Sequence, residues 1–242
     1  EVSGGTHDVG DRISWTLRPV VSSKLNRVIY EDGFKEDYPD SRELPAVGDA
    51  VATKEKVAEN EELVTRTVER KVKQIVTWEE RREAMQAVCR NCHNTTYINN
   101  FYHQFDSLVE LYNEKFAKPA KKFMDDLKAD GVLNPAAPFE YEVQWVFWEL
   151  WHHEGRRARH GASMMGPDYT HWHGMYEVSK HYYTEFLPAV IDAAESKSTE
   201  LGEKYRGIID EMMTDPEHTW QKGLSAEEAE RLRKAYLERY NQ

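Results

Sequence analysis

The sequence predicts a mainly α-helical protein: an irregular N-terminal segment, then a few very long helices, with almost no strand signal. Three observations point there. Gly, Pro and Asp crowd residues 1–50 without a sustained period. Between Thr53 and Pro119 neither Gly nor Pro occurs. From Thr53 onward apolar residues return at steps of three and four, with charges interleaved.

Residues 1–52 read as a loop-rich segment that wraps over other parts of the protein. Within it "ISWTLRPVV" suits a short extended piece, and "EDGFKEDYPDSRELPAVGD" is turn chemistry throughout. Thr53 to Ile75 is expected to form one amphipathic helix, with Val57, Val64, Val68 and Ile75 among its apolar positions. "TWEERREAMQAV" starts a second helix, with Thr77 as N-cap and Glu80 completing a capping box. Phe101, Phe105, Leu108, Tyr112, Phe116, Phe123 and Leu127 then recur at helical spacing up to Gly131, a C-cap glycine, with Pro119 as a point of kinking. These helices make up a second part, residues 53–135.

The third part, residues 136–242, holds the longest helices. One starts near Pro138 and runs to about His160; "GASMMGPDY" interrupts it. Another runs from about His171 to Met213 and tolerates Pro188 or bends there. "LSAEEAERLRKAYLERY" closes the chain, with Ser225 and Glu228 as a capping box. There is no internal repeat.

Composition narrows the function classes. With 43 acidic against 32 basic residues the formal charge is −11, which argues against a nucleic-acid backbone as partner. Hydrophobic residues at 40 % and charged residues at 31 % describe a soluble globular chain. No apolar run approaches the roughly 20 residues of a membrane span; "VQWVFWELW" is too short and contains Glu149. No signal peptide precedes Glu1. Ten His, 7 Trp and 13 Tyr equip the chain to hold a metal or a flat aromatic cofactor.

Both cysteines lie in "VCRNCHNTT", and three chemistries compete for Cys89, Cys92 and His93. A structural zinc site needs four ligands, and no second cysteine pair exists to supply them. A dithiol redox pair belongs at the start of a helix after a strand, and no strand is expected here. The third chemistry is covalent haem c: two thiols add across the vinyl groups and the adjacent His93 lies beneath the iron. The Cys-x-x-Cys-His spacing and the surplus of aromatic residues favour it. Covalent haem attachment places the chain outside the cytoplasm. Two core cysteines beside an incidental histidine are the plainer alternative.

One haem does not account for ten histidines. His7 sits on the glycine-rich "GGTHDVGD", where a loop can approach a haem face closely. Histidines are dense again in "WHHEGRRARHGASMMGPDYTHWHGMYEVSKH". The first candidates for distal iron ligands are His7 and His173, the latter because Gly174 beside it leaves room for a macrocycle. His103, His160 and His171 follow. Arg156, Arg157 and Arg159 are either a solvated helix end or partners for haem propionates.

"CRNCHN" and "HHEGRRARHGASMMGPDYTHWHGMYEVSKHYYTEF" together resemble the C-terminal part of the octahaem hydroxylamine oxidoreductases, a family that includes hydrazine dehydrogenase. The resemblance spans nearly the whole chain. It implies a multihaem cytochrome c with a C-terminal domain of long helices, Cys89, Cys92 and His93 carrying the eighth haem, and His7 just beyond the seventh motif. It also implies a homotrimer in which Tyr169 of each subunit bonds the catalytic haem of its neighbour; Tyr176, Tyr182 and Tyr183 are weaker candidates for that link. Hydroxylamine or hydrazine is oxidised at that haem, and electrons leave along the haem chain to an acceptor cytochrome, in the periplasm or in the anammoxosome lumen of anaerobic ammonium oxidisers. Seven of the eight haem motifs are missing from this chain, so it reads as a C-terminal fragment or one piece of a split polypeptide.

Two other readings stay open. One is a monohaem c-type electron carrier without substrate chemistry. The other is a reductive octahaem relative acting on nitrite, against which Tyr169 argues because such relatives generally lack the crosslinking tyrosine.

Overall fold

The computed structural model of the chain describes residues 14–59, 62–218 and 223–240; His7 lies outside them. The described residues are mainly helical, with six helices, and they also contain a four-stranded antiparallel sheet. The chain divides into two compact units, residues 1–113 with 151–175 and residues 114–150 with 176–242. Each unit is described by itself.

The sheet is the main departure from the expected pattern. β1 (Leu25–Tyr30), β2 (Lys35–Pro39), β3 (Ala50–Glu59) and β4 (Glu62–Val76) pair in the order β2-β1-β4-β3. The described part of the N-terminal segment therefore contains strands, one of them in the turn-rich stretch after Glu31. The helix expected over Thr53 to Ile75 is instead the β3–β4 hairpin, in which Val57 pairs with Val64 and Thr53 with Val68. Val57 and Val64 lie on different strands, so the seven-residue step from one to the other reports no helical turn. Val64 and Val68, both on β4, are an even number apart, which suits one face of a strand as well as one face of a helix. The strand signal was the density of β-branched residues: Val51, Thr53, Val57, Val64, Thr65, Thr67, Val68, Val72, Ile75 and Val76.

The sheet has its own apolar cluster. Val28, Tyr30, Tyr38 and Val72 are buried, with Phe34, Leu44, Val51 and Ile75 packed against them. The β1–β2 turn requires a left-handed backbone at Gly33, whose φ is +86°. Arg70 of β4 is buried and pins this turn to the hairpin. Its guanidinium donates to Asp32 at 2.7 Å, to Thr53 and to Glu55, and stacks on Phe34 at 4.1 Å.

α1 (Trp78–Cys89) follows β4 directly and starts at the expected capping box of Thr77 and Glu80. α2 covers residues 95–129 and α3 residues 142–163. α4 covers residues 167–197, and α5 is Thr199–Met212. The long helix expected from His171 to Met213 thus begins earlier and breaks at Ser198, whose extended backbone and hydroxyl cap α5. α6 (Ala226–Tyr240) begins at the expected Ser225–Glu228 box. Gly131 closes α2 with φ +68°, as its C-cap role requires.

Neither Pro119 nor Pro188 breaks its helix. A π-helical turn, Asn113–Ala117 or Tyr182–Phe186, ends two residues before each. A proline ring collides with the carbonyl four residues back and offers no N–H, and a widened turn relieves both conflicts.

In the first unit, residues 14–24 lie against α1 and α2. Trp15 bridges to Lys24 as an isolated antiparallel pair, and Trp15, Leu17, Phe105 and Val109 form a buried cluster. Asp106 accepts from Trp15 Nε1 at 2.7 Å and from Arg82 at 2.6 and 2.7 Å. Burial pushes the Asp106 carboxyl up, but these donors and Lys24 hold it below the usual carboxylate range. In the second unit Phe116, Phe123, Tyr182, Phe186 and Tyr205 build a buried aromatic core. Among the described residues no helix is long and apolar enough to cross a membrane.

Candidate functional site

Cys92 and His93 occupy the short connection between α1 and α2, which begins directly after Cys89. Cys89 ends α1, and its carbonyl accepts from both the Cys92 N–H (3.1 Å) and the His93 N–H (2.9 Å). Asn94 then caps α2 by accepting from the Tyr97 N–H at 2.9 Å. The motif is therefore a single tight turn held by backbone hydrogen bonds. Both thiols are free; Cys89 is half-buried, whereas Cys92 and His93 are exposed.

A strand does precede this region, contrary to the sequence reading, because β4 leads into α1. The pair nonetheless sits at the C-terminal end of α1. A dithiol redox pair gains thiolate character from a helix N-terminus, and the C-terminal end of the dipole works against it. That chemistry is disfavoured here by position on the helix, not by the lack of a strand.

The His93 ring stacks on Tyr97, with centroids 4.6 Å apart and planes 16° from parallel. Tyr97 in turn donates its hydroxyl to Met165 Sδ at 3.2 Å. Met165 has φ +55°, the only positive value at a non-glycine residue among those described, and sits in the turn between α3 and α4. Tyr102 of α2 has its hydroxyl pushed up to about 12 by burial, with the Cys89 thiol adding to the effect. Through Tyr97 and Met165 the cysteine turn meets the edge of the histidine-rich stretch.

That stretch forms a cleft of about 330 Å³. A π-helical turn at Leu150–Glu154 shifts the helical phase and sets His152 and His153 on the face that carries Arg156, Arg157 and His160. Tyr169, in the first turn of α4 and 57 % exposed, also lines it. Gly161 lets the two helices meet: a Cβ there would lie 2.7 Å from the Thr170 nitrogen. Burial, Arg156 and His153 hold His152 below the ordinary histidine range; burial, Arg159, Arg18 and Arg156 do the same to His160.

Other candidates fall elsewhere. His173 lies 3.7 Å from Asp168 and its ring centroid is 6.1 Å from that of Tyr169. His103 and His171 are exposed and do not line the cleft. Gly174 is buried, and a Cβ there would fall 2.7 Å from Ala158 Cα, so it packs closely against α3. Arg159 is neither a solvated helix end nor a surface anion ligand. It is fully buried and donates to the carbonyls of Gly155 and Pro19 (2.8 and 2.9 Å) and to Ser22 Oγ (2.6 Å), with Tyr112 stacked on it at 4.2 Å. His152 and His153 were not singled out in sequence; the signal was the four-residue spacing of His152, Arg156 and His160.

Among the described residues no group of three or more His, Cys, Asp or Glu side chains converges on a metal. A haem brings four nitrogens of its own, so two thiols and one imidazole in one turn match what its attachment demands. No protein-family model, no curated protein and no solved structure matches the chain.

Proposed function

We propose that the chain carries haem c at Cys89 and Cys92, with His93 as proximal ligand, and belongs to a multihaem oxidoreductase that oxidises hydroxylamine or hydrazine. The observation that carries this reading is the cysteine turn: two free thiols and an imidazole, closed by two N–H bonds to the Cys89 carbonyl. The resemblance to the octahaem hydroxylamine oxidoreductases supplies the substrate class, several haems per complete protein, the homotrimer and the acceptor cytochrome.

When bound, haem supplies one-electron transfer. The chain's own residues attach and orient it. Cys89 and Cys92 would hold the group through thioether bonds, and His93 would ligate its iron. Tyr97 fixes the plane of the His93 ring by stacking, which limits its rotation. The exposure of Tyr169 supports the role the resemblance gives it, a phenol that reaches a neighbouring subunit.

Co-expression with a c-type haem maturation system tests the attachment. The expected result is a pyridine haemochrome from the purified chain and a haem-modified peptide spanning Cys89 to His93. His93→Ala should remove the low-spin spectrum of that haem. A chain that matures without any covalent haem would refute the reading. One haem per 28 kDa polypeptide, in a protein that turns over neither nitrogen substrate, would replace the oxidoreductase by a monohaem electron carrier.

A further inference from the structure

α6 (Ala226–Tyr240) differs from the other helices in its surroundings: every residue from Gly223 to Glu238 is exposed. Leu224, Leu232 and Leu237 are 61 %, 41 % and 51 % exposed. Ala229, Leu232 and Tyr236 follow one another at steps of three and four, so they lie along one side of the helix, with Leu237 at its border. A helix of 15 residues is marginal in water on its own, because most helical stability comes from packing an apolar face. The Ser225–Glu228 box satisfies the first turn but covers none of that face.

The charges of α6 are ordered about its middle. Residues 227–234 read "EEAERLRK". Reflected through the midpoint between Glu230 and Arg231, Glu230 meets Arg231, Glu228 meets Arg233 and Glu227 meets Lys234. The same reflection sets Ala229 against Leu232 and Leu224 against Leu237. The helix dipole also favours acids first and bases last, and Arg233 lies 3.8 Å from Glu230 of its own helix. Neither effect asks for mirrored spacing or for an apolar row in water. A second α6 running antiparallel answers both, with opposite charges at each position and one apolar row against the other. A parallel pair would set Glu against Glu and Arg against Arg.

We infer that α6 is a self-association helix that pairs antiparallel with α6 of a second copy. Glu227, Glu228 and Glu230 of each chain face Lys234, Arg233 and Arg231 of the other, about a two-fold axis between Glu230 and Arg231. The contact is isologous, the same surface on both sides. A two-fold contact cannot close a ring of three, so it is separate from the homotrimer; where that trimer forms, α6 joins one trimer to another. The contact does not need haem at Cys89 and Cys92. A helix of 15 residues is about 22 Å long, a small interface, so the association is weak and reversible.

Analytical ultracentrifugation of the full chain under reducing conditions reads the association as a doubling of mass, with rising concentration, over the smallest assembly present. Glu227→Lys/Glu228→Lys/Glu230→Lys makes the helix middle uniformly basic, and Arg231→Glu/Arg233→Glu/Lys234→Glu makes it uniformly acidic. Each variant alone should double at least 10-fold more weakly, because like charges meet across the axis. An equimolar mixture of the two should recover the parent's doubling, which a merely intrahelical role for these charges would not produce. Leu232→Gln keeps every charge and should also weaken the step at least 10-fold. Far-UV circular dichroism establishes that each variant is folded. No doubling of the parent up to about 1 mM, doubling undiminished in the charge variants or in Leu232→Gln, or a mixture that stays dissociated overturns the inference.

Discussion

Residues 151–175 and residues 177–218 both carry histidines and aromatic rings and use the rings in opposite ways. In the first stretch Tyr169 and Trp172 are 57 % and 65 % exposed. In the second, Tyr182 and Phe186 are fully buried and Tyr183 nearly so. The second set stacks edge to face with Phe116 and Phe123 and forms a core. A ring in a core contributes its area to stability and is unavailable to a partner; a ring held in water contributes little to the fold and can be spared for binding. Tyr182 and Tyr183 are thereby committed to the core, whereas Tyr169 and Tyr176 are both 57 % exposed.

The largest test of this contrast is a pair of truncations. Tyr182→Ala should destabilise the protein by about 3–5 kcal/mol through loss of burial and creation of a cavity. Tyr169→Ala should stay within about 0.5 kcal/mol of the parent. Urea unfolding of both gives the answer, and similar losses at the two positions would erase the distinction.

Arg159 sharpens the comparison from the other side, as a buried cation within the exposed-ring stretch. Arg159→Leu leaves the Pro19 carbonyl and Ser22 Oγ without their donor, at a cost of about 2–3 kcal/mol. Arg157→Leu, at the exposed rim of the cleft, should change stability by less than about 0.5 kcal/mol in the same measurement.

The smallest expected effect concerns pH. His218 is buried, and its Nδ1 is hydrogen-bonded to the Tyr183 hydroxyl at 2.7 Å. Burial first and Lys115 second hold His218 below the ordinary histidine range, against the opposing pull of Asp215 and Glu217. The unfolded chain then binds the proton more readily, from about 6.5 downward. The stabilisation is complete above that pH and is lost as pH falls, with a slope of at most about 1.4 kcal/mol per unit. Unfolding free energies between pH 7.5 and 5 should show a shallower decline for His218→Gln than for the parent. Equal slopes would place the proton uptake on other histidines.

Much of the helical layout was legible because its signals are local. Thr77 with Glu80, Ser225 with Glu228 and Gly131 each act within about one turn of the chain, so neighbours in sequence suffice to read them. The hairpin over residues 50–76 was not legible from apolar spacing, since that spacing crosses between two strands. The cysteine turn was visible as a motif. The cleft was visible only as a density of histidines, because which of them face it depends on the π-helical turn at Leu150–Glu154.

The sequence by itself determined the chemistry at hand: one Cys-x-x-Cys-His, a histidine-rich run, an acidic surface and helices with clear caps. Tertiary structure alone decided which groups are available. Arg159 became a strut by meeting Pro19, 140 residues away in sequence, and Gly174 became a packing point against Ala158. Tyr182 went into a core that Phe116 helps to build, while Tyr169 stayed in water. Burial depends on partners distant along the chain, and no local pattern of residue types encodes them.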